Sequence, residues 1–206
     1  MLMLNFPATV GLMVLAQPIV AMIYQRRMFN QYDTASTAAA LMFYAPGLLG
    51  YSVVKIASPT FYSLRDSRTP VIVSVISVLA NLVMNIALVR VMGFRGLALG
   101  TAIAAIFNAV VLMWLLRGRL DGIDGRRVGT ALVKITAASL VMAIAAHFSL
   151  SWITTMTPAN DEFAKMVRVG VSITVALTAL VIAARAFRID EFTDAASRVL
   201  KRFGRR

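Results

Sequence analysis

Six apolar runs, each about as long as a membrane crossing, divide this chain: roughly Met3–Ile23, Ala38–Ala57, Val71–Val89, Leu97–Leu116, Thr130–Trp152 and Val167–Ala184. A helix needs about 20 residues to cross the ~30 Å hydrocarbon layer of a bilayer. Inside that layer a backbone must satisfy its own hydrogen bonds, so runs of this length read as spanning α-helices. A β-barrel would show shorter segments of alternating polarity, which are not seen. The expected fold class is therefore all-α, a polytopic membrane bundle of six helices. Composition agrees: 59% of the 206 residues are hydrophobic, more than a soluble core of this size requires.

The net charge of +12 could by itself point to nucleic acid, but the positions of the charges point to the membrane. With a cytoplasmic N-terminus, the segments on the inner side hold fourteen of the 21 basic residues, among them Arg65, Arg68, Arg117, Arg119 and the cluster Arg185–Arg206. The outer segments hold six: Arg26, Arg27, Arg90, Arg95, Lys165 and Arg168. Lys55 lies inside a span. This asymmetry fits the positive-inside rule with both termini cytoplasmic, and it makes anionic membrane lipids the natural partners rather than nucleic acid. The absence of cysteine removes thiol chemistry and disulfides. Met1-Leu2-Met3-Leu4 enters an apolar run with no basic lead, unlike a signal peptide. The expectation is a helix that begins mid-protein, in the C-terminal portion of a longer chain.

Turn and cap residues suggest where helices begin. Asp33 or Thr34 is expected to cap the second span. Thr69-Pro70 places a capping hydroxyl before a proline at the first helical position of the third. Gly93 and Gly96 bracket a turn over Met92–Gly96, and Asn160-Asp161-Glu162 supplies a cap for the sixth span. The glycine-rich stretch after Arg117 is the best candidate boundary. It divides the chain into four spans (1–117), a cytoplasmic loop (118–129), a final helix pair (130–188) and a basic tail (189–206). In the tail, Phe192, Ala195, Ala196, Val199, Leu200 and Phe203 recur at helical spacing among basic residues, as in an amphipathic helix on the inner membrane surface.

Polar groups at membrane depth are costly, so they face a cavity or another helix. The third span carries Ser74, Ser77, Asn81 and Asn85, the two amides four residues apart on one face. The fourth carries Thr101 and Asn108 among small residues that allow close helix contact. Their plain alternative role is to hold helices together. The second span is loosened by Pro46, Gly47 and Gly50, and Pro59 follows Lys55. Interrupted helices of this kind line transporter cavities, although Lys55 could equally snorkel to the interface. All nine acidic residues fall in loops or near helix ends, and no nucleophile, base or phosphate-loop pattern appears. The sequence thus indicates a transporter or a scaffold, not an enzyme.

Between spans two and three, Ala57-Ser58-Pro59-Thr60-Phe61-Tyr62-Ser63-Leu64-Arg65-Asp66-Ser67-Arg68-Thr69-Pro70 resembles the "A-P-x-F-Y-S-x-x-D-x-x-T-P" stretch of the MurJ/MviN family of lipid II flippases. Gln25-Arg26-Arg27-Met28-Phe29 with Tyr32-Asp33 is similar to the family's outer-loop segment, with Arg27 where glycine is usual. Gly96-Leu97-Ala98-Leu99-Gly100-Thr101 with Asn108 is similar to a helix shared with the wider multidrug and polysaccharide exporter superfamily. The six spans match the order and spacing of the last six of the family's fourteen.

The resemblance implies alternating-access transport of polyprenyl-pyrophosphate-linked peptidoglycan precursor across the bacterial inner membrane. Eight preceding helices would be partners in that activity, and the last helix pair would form a lipid-tail groove. Lys55, Tyr62, Asn81, Asn85 and Asn108 become candidates for the substrate cavity. For members that bind sodium, the family's ligands fall on Asn81, Asn85, Leu97 and Thr101, with Asn85 standing where those members have a carboxylate. No other cofactor is implied. The competing readings are export of another polyprenyl-linked glycan and a non-transporting membrane scaffold derived from a flippase.

Overall fold

The computed structural model describes residues 2–25, 29–120, 125–156 and 162–187. It is a bundle of helices: α1 (Leu2–Val14), α2 (Ala16–Tyr24), α3 (Gln31–Tyr44), α4 (Gly47–Ser63), α5 (Arg68–Met92), α6 (Phe94–Arg119), α7 (Gly125–Met156) and α8 (Glu162–Ala186). No strand occurs among the described residues. Five segments are long and apolar enough to cross a membrane, Gln31–Ser63 counting as one, and the bent pair α1–α2 raises the number to six. The expected tail helix, most of the Arg26-Arg27-Met28 motif and the Asn160-Asp161 cap lie outside the described residues.

The first span is not the single helix expected. It breaks at Leu15, and α1 and α2 meet at 71°. Pro18 lies four residues after Val14 and has no N–H to give its carbonyl, so the helical ladder is interrupted there. The break is packed inside the protein. Leu15 is buried with Met142, Ala146 and Ala176, while Ala16 and Val20 are buried with Ala38. The second span behaves in the opposite way. Ala45 and Pro46 keep right-handed helical angles, and tighter bonds from Leu48 N–H to Ala45 O (3.0 Å) and Leu49 N–H to Pro46 O (3.1 Å) carry the chain past the proline.

Two caps differ from expectation. Asn30, not Asp33 or Thr34, caps α3. Its Oδ1 accepts the Asp33 N–H (3.0 Å), and Asp33 Oδ2 accepts the Asn30 N–H (3.1 Å), a reciprocal box that leaves Asp33 in the first turn. At α5 the capping acceptor is Asp66, and Thr69 is its donor. Asp66 Oδ1 takes the Thr69 N–H (3.0 Å) and Oδ2 takes the Thr69 hydroxyl (2.8 Å). The turn between α5 and α6 is shorter than Met92–Gly96. Gly93 alone, at φ +62°, ends one helix and starts the next, a conformation that glycine adopts without a Cβ clash. The glycine-rich boundary also shrinks, because α6 runs on to Arg119 and α7 begins at Gly125.

Alternating directions put the α4–α5 turn and the end of α6 at one end of the bundle. The ends of α2 and α7 and the start of α8 lie at the other. Ala57 and Phe61 of α4, Val73 of α5, and Leu112 and Leu116 of α6 form one core. Ile135 and Ala138 of α7 pack on Ala183 and Ala184 of α8, with Met3 and Phe6 of α1 against them. The α7–α8 pair therefore rests on the broken first span. Helix α5 packs mainly along α6 and leaves Val71, Val75, Val78, Leu82, Val83 and Ile86 exposed.

Candidate functional site

The seam between α5 and α6 brings the membrane amides together with glycine. Added Cβ atoms at Gly96 and Gly100 would strike the Leu88 carbonyl and Asn85 Oδ1 respectively, so the two backbones approach closely only because glycine occupies both positions. Asn85 Nδ2 donates to Asn81 Oδ1 at 2.8 Å, the contact its spacing predicts. Asn85 Oδ1 is buried against Gly100 and has no hydrogen-bond donor among the described residues. One turn away along α6, the Thr101 hydroxyl donates to the Leu97 carbonyl at 2.8 Å.

Asn108 sits eight residues beyond Gly100, about 12 Å further along the helix. It does not join the Asn81–Asn85 pair, although its Oδ1 is likewise buried without a donor. Lys55 is exposed on α4. Tyr62 is exposed and borders a groove of about 360 Å³ between α4 and α5, where Ser58 and Ser74 are the other hydroxyls. The five cavity candidates thus occupy separate places: a paired-amide seam, an isolated buried amide, and two positions on α4.

Two features escaped the sequence reading. Asn5 on α1 donates from Nδ2 to the buried Ser52 hydroxyl on α4, and Ser52 in turn donates to Leu48 O at 3.0 Å. An amide within an apolar run was the available signal for this tie between the first and second spans. The second feature is a clasp. Arg119 Nη2, at the end of α6, reaches Asp66 Oδ2 at 3.0 Å, joining that helix to the α4–α5 turn.

The Thr69 N–H, then the Thr69 hydroxyl, and less strongly the Arg119 guanidinium hold the Asp66 carboxyl below its ordinary value of 3.8. A depressed folded-state value means that the Asp66 contribution to stability is present above the ordinary value. It is lost as pH falls through the lower folded one. We expect thermal scans in detergent to show Asp66→Ala losing more stability than Arg119→Gln at pH 7, because the Arg119 side chain is 59% exposed and its ion pair is screened. Below the folded-state value the gap between Asp66→Ala and the parent should close.

Of the four oxygens assigned by resemblance to a sodium ion, Asn81 Oδ1 and the Leu97 carbonyl each already accept a hydrogen bond. Among the described residues no donor reaches Asn85 Oδ1, and the set carries no negative charge. A hard cation is normally held by several oxygens including carboxylates. These residues by themselves do not fit a sodium site, and nothing proposed below depends on one.

Comparison with known proteins matches this arrangement to one family. The profile described as "Lipid II flippase MurJ" matches residues 1–167. A probable lipid II flippase MurJ of Rickettsia prowazekii is 39% identical over 111 residues, 54% of this chain and 22% of that protein. One from Vibrio cholerae is 35% identical over 53% of this chain and 21% of its own. One from Haemophilus influenzae is 27% identical over 80% of this chain and 31% of its own. The solved structure "Lipid II flippase MurJ, inward closed conformation" superposes with a TM-score of 0.67 at 26% identity, over 90% of this chain and 37% of that one. The chain spans about a fifth to a third of the length of these curated relatives. On the strength of the match over residues 1–167, the chain belongs to the lipid II flippase MurJ family.

Proposed function

We propose that these helices form the C-terminal six-span portion of a lipid II flippase in the bacterial inner membrane. The observation that carries this reading is the family match over residues 1–167, on a bundle that keeps a buried amide seam inside an otherwise apolar helix pair. In this reading the chain works with eight further helices. The two lobes alternate access for a polyprenyl-pyrophosphate-linked peptidoglycan precursor, with no catalytic step. Lys55, Tyr62, Asn81, Asn85 and Asn108 face the moving substrate or the lobe that moves against them. The α7–α8 pair accommodates the lipid tail, and both termini are cytoplasmic, against anionic lipid.

The test is a chimera in which these helices replace the matching segment of the Vibrio cholerae relative, produced in cells depleted of their own flippase. Restored growth with precursor appearing on the outer face supports the reading. A stable, membrane-inserted chimera that restores neither refutes it in favour of a scaffold. Rescue of a different polyprenyl-linked glycan export instead would redirect the substrate assignment.

Orientation has its own check. The chain has no native cysteine. Ser67→Cys, in the α4–α5 turn, is expected to resist an impermeant thiol reagent applied to intact spheroplasts, while Arg95→Cys, beside the α5–α6 turn, reacts. The reverse pattern would invert the topology.

A further inference from the structure

The break in the first span has an effect at the opposite end from the clasp. Helix α2 turns from the axis of α1 by 71° and packs against α8, with its Gln17, Pro18 and Ala21 beside residues of α7 and α8. A cleft of about 360 Å³ opens there. Gln17 borders it from α2, Gln25 from the residue just after α2 and Thr154 from α7, and Lys165 and Arg168 enter from α8. The rest of its wall is apolar, including Ala21, Leu150 and Val169. Lys165 and Arg168 are three residues apart, on one face of the helix.

Both cations are partly buried. Lys165 has no ion-pair or hydrogen-bond partner among the described residues, whereas Arg168 and the exposed Glu162 each already make an interaction of their own. Snorkelling alone would turn such side chains outward to bulk water. Here they share a recess with the amides of Gln17 and Gln25, while the Thr154 hydroxyl at its edge already donates to the Leu150 carbonyl at 2.6 Å. That combination of charge and neutral donors is what phosphate oxygens require. The apolar walls suit the glycerol and upper acyl carbons next to a phosphate.

We propose that the α2–α7–α8 cleft binds the phosphate headgroup of an anionic phospholipid from the leaflet at that end of the bundle. Lys165 and Arg168 supply the charge, and Gln17 and Gln25 supply neutral donors. The site is separate from the α5–α6 seam and does not depend on the transport reading.

The test uses the full chain in detergent micelles, with native mass spectrometry counting bound short-chain phosphatidylglycerol. Phosphatidylcholine serves as the zwitterionic control and inorganic phosphate as a soluble competitor. The paired change Lys165→Gln with Arg168→Gln is expected to lower phosphatidylglycerol occupancy about tenfold, equivalent to ~1.4 kcal/mol. Lys165→Arg with Arg168→Lys is expected to retain occupancy. This second pair keeps the test decisive if the neutral pair fails to fold. Arg90→Gln, at the end of α5 and away from the cleft, should have no effect. Unchanged occupancy in the neutral pair, or loss in the charge-conserving pair, would overturn the proposal. Equal binding of phosphatidylcholine would remove its anionic specificity. Full displacement by millimolar inorganic phosphate would replace the lipid with a free-ion site.

Discussion

Valine at Gly50 is expected to force α4 and α6 apart. A Cβ at this position would lie 2.5 Å from the Ala105 carbonyl carbon and oxygen and 2.8 Å from the Ile106 nitrogen, all backbone atoms of a helix that cannot rotate out of the way. Gly47, one turn earlier, is nearly as tight against Ala102 Cα at 2.9 Å. The two helices run parallel, with 47 beside 102 and 50 beside 105, so a shift at one contact strains the other. Overpacking usually costs about 1–3 kcal/mol. With backbone as the obstacle, Gly50→Val belongs at ~3 kcal/mol, read as a lowered unfolding temperature in detergent. Gly118 is the internal control, since its Cβ would meet nothing within 4 Å. Gly118→Ala should be neutral or slightly stabilising, because alanine is favoured over glycine in a helix by about 1 kcal/mol. If both substitutions behave alike, the α4–α6 seam is not the close contact described.

Leucine at Asn85 separates packing from transport. If Asn85 only holds helices together, Leu, of nearly the same shape, removes a buried acceptor that has no donor. That orphan costs about 1–3 kcal/mol. The change also loses the bond to Asn81, worth ~0.5–1.5 kcal/mol net. The packing account therefore gives a neutral or stabilised protein with intact activity. The functional account gives the same stability with impaired transport. We expect Asn85→Leu in the flippase chimera to keep its unfolding temperature and to slow appearance of precursor on the outer face by about tenfold, or ~1.4 kcal/mol in barrier. Unaltered transport would return Asn85 to a structural role. A large loss of stability would show that its amide is satisfied by a group not seen in the bundle.

The spans and the family were legible in the sequence because both rest on features that survive in any context: runs of apolar residues and the Pro59–Pro70 motif. The spacing of Asn81 and Asn85 placed both amides on one helix face, where they are hydrogen-bonded to each other. The errors lie where the outcome depended on a choice between neighbours. Asn30, Asp33 and Thr34 are all competent caps, and the backbone at Asn30 is the one that adopts the extended angle a cap requires. Thr69 offers a hydroxyl, but the Asp66 carboxylate three residues earlier accepts two bonds from it. Two prolines inside apolar runs behaved oppositely. At Pro46 the helix tightens and continues, whereas before Pro18 it bends at a residue buried against α7 and α8. No local rule tells these apart, because the bend is stabilised by Met142, Ala146 and Ala176 from far along the chain. The α2–α7–α8 cleft was hidden for the same reason, since it exists only once that bend is made.

The single-residue joint at Gly93 gives α5 and α6 almost no independent freedom. With Gly96 and Gly100 closing the gap below it, the two helices form a stiff hairpin of about 37 Å, from ~25 residues at 1.5 Å each. Any tilt imposed on its tip at Gly93 reappears undiminished at its other end. There the α4–α5 corner is fastened back to the hairpin's second arm through Asp66 and Arg119. The pair would therefore tilt as one unit, and a force on the exposed flank of α5 would move the amide seam, the corner and the arm together.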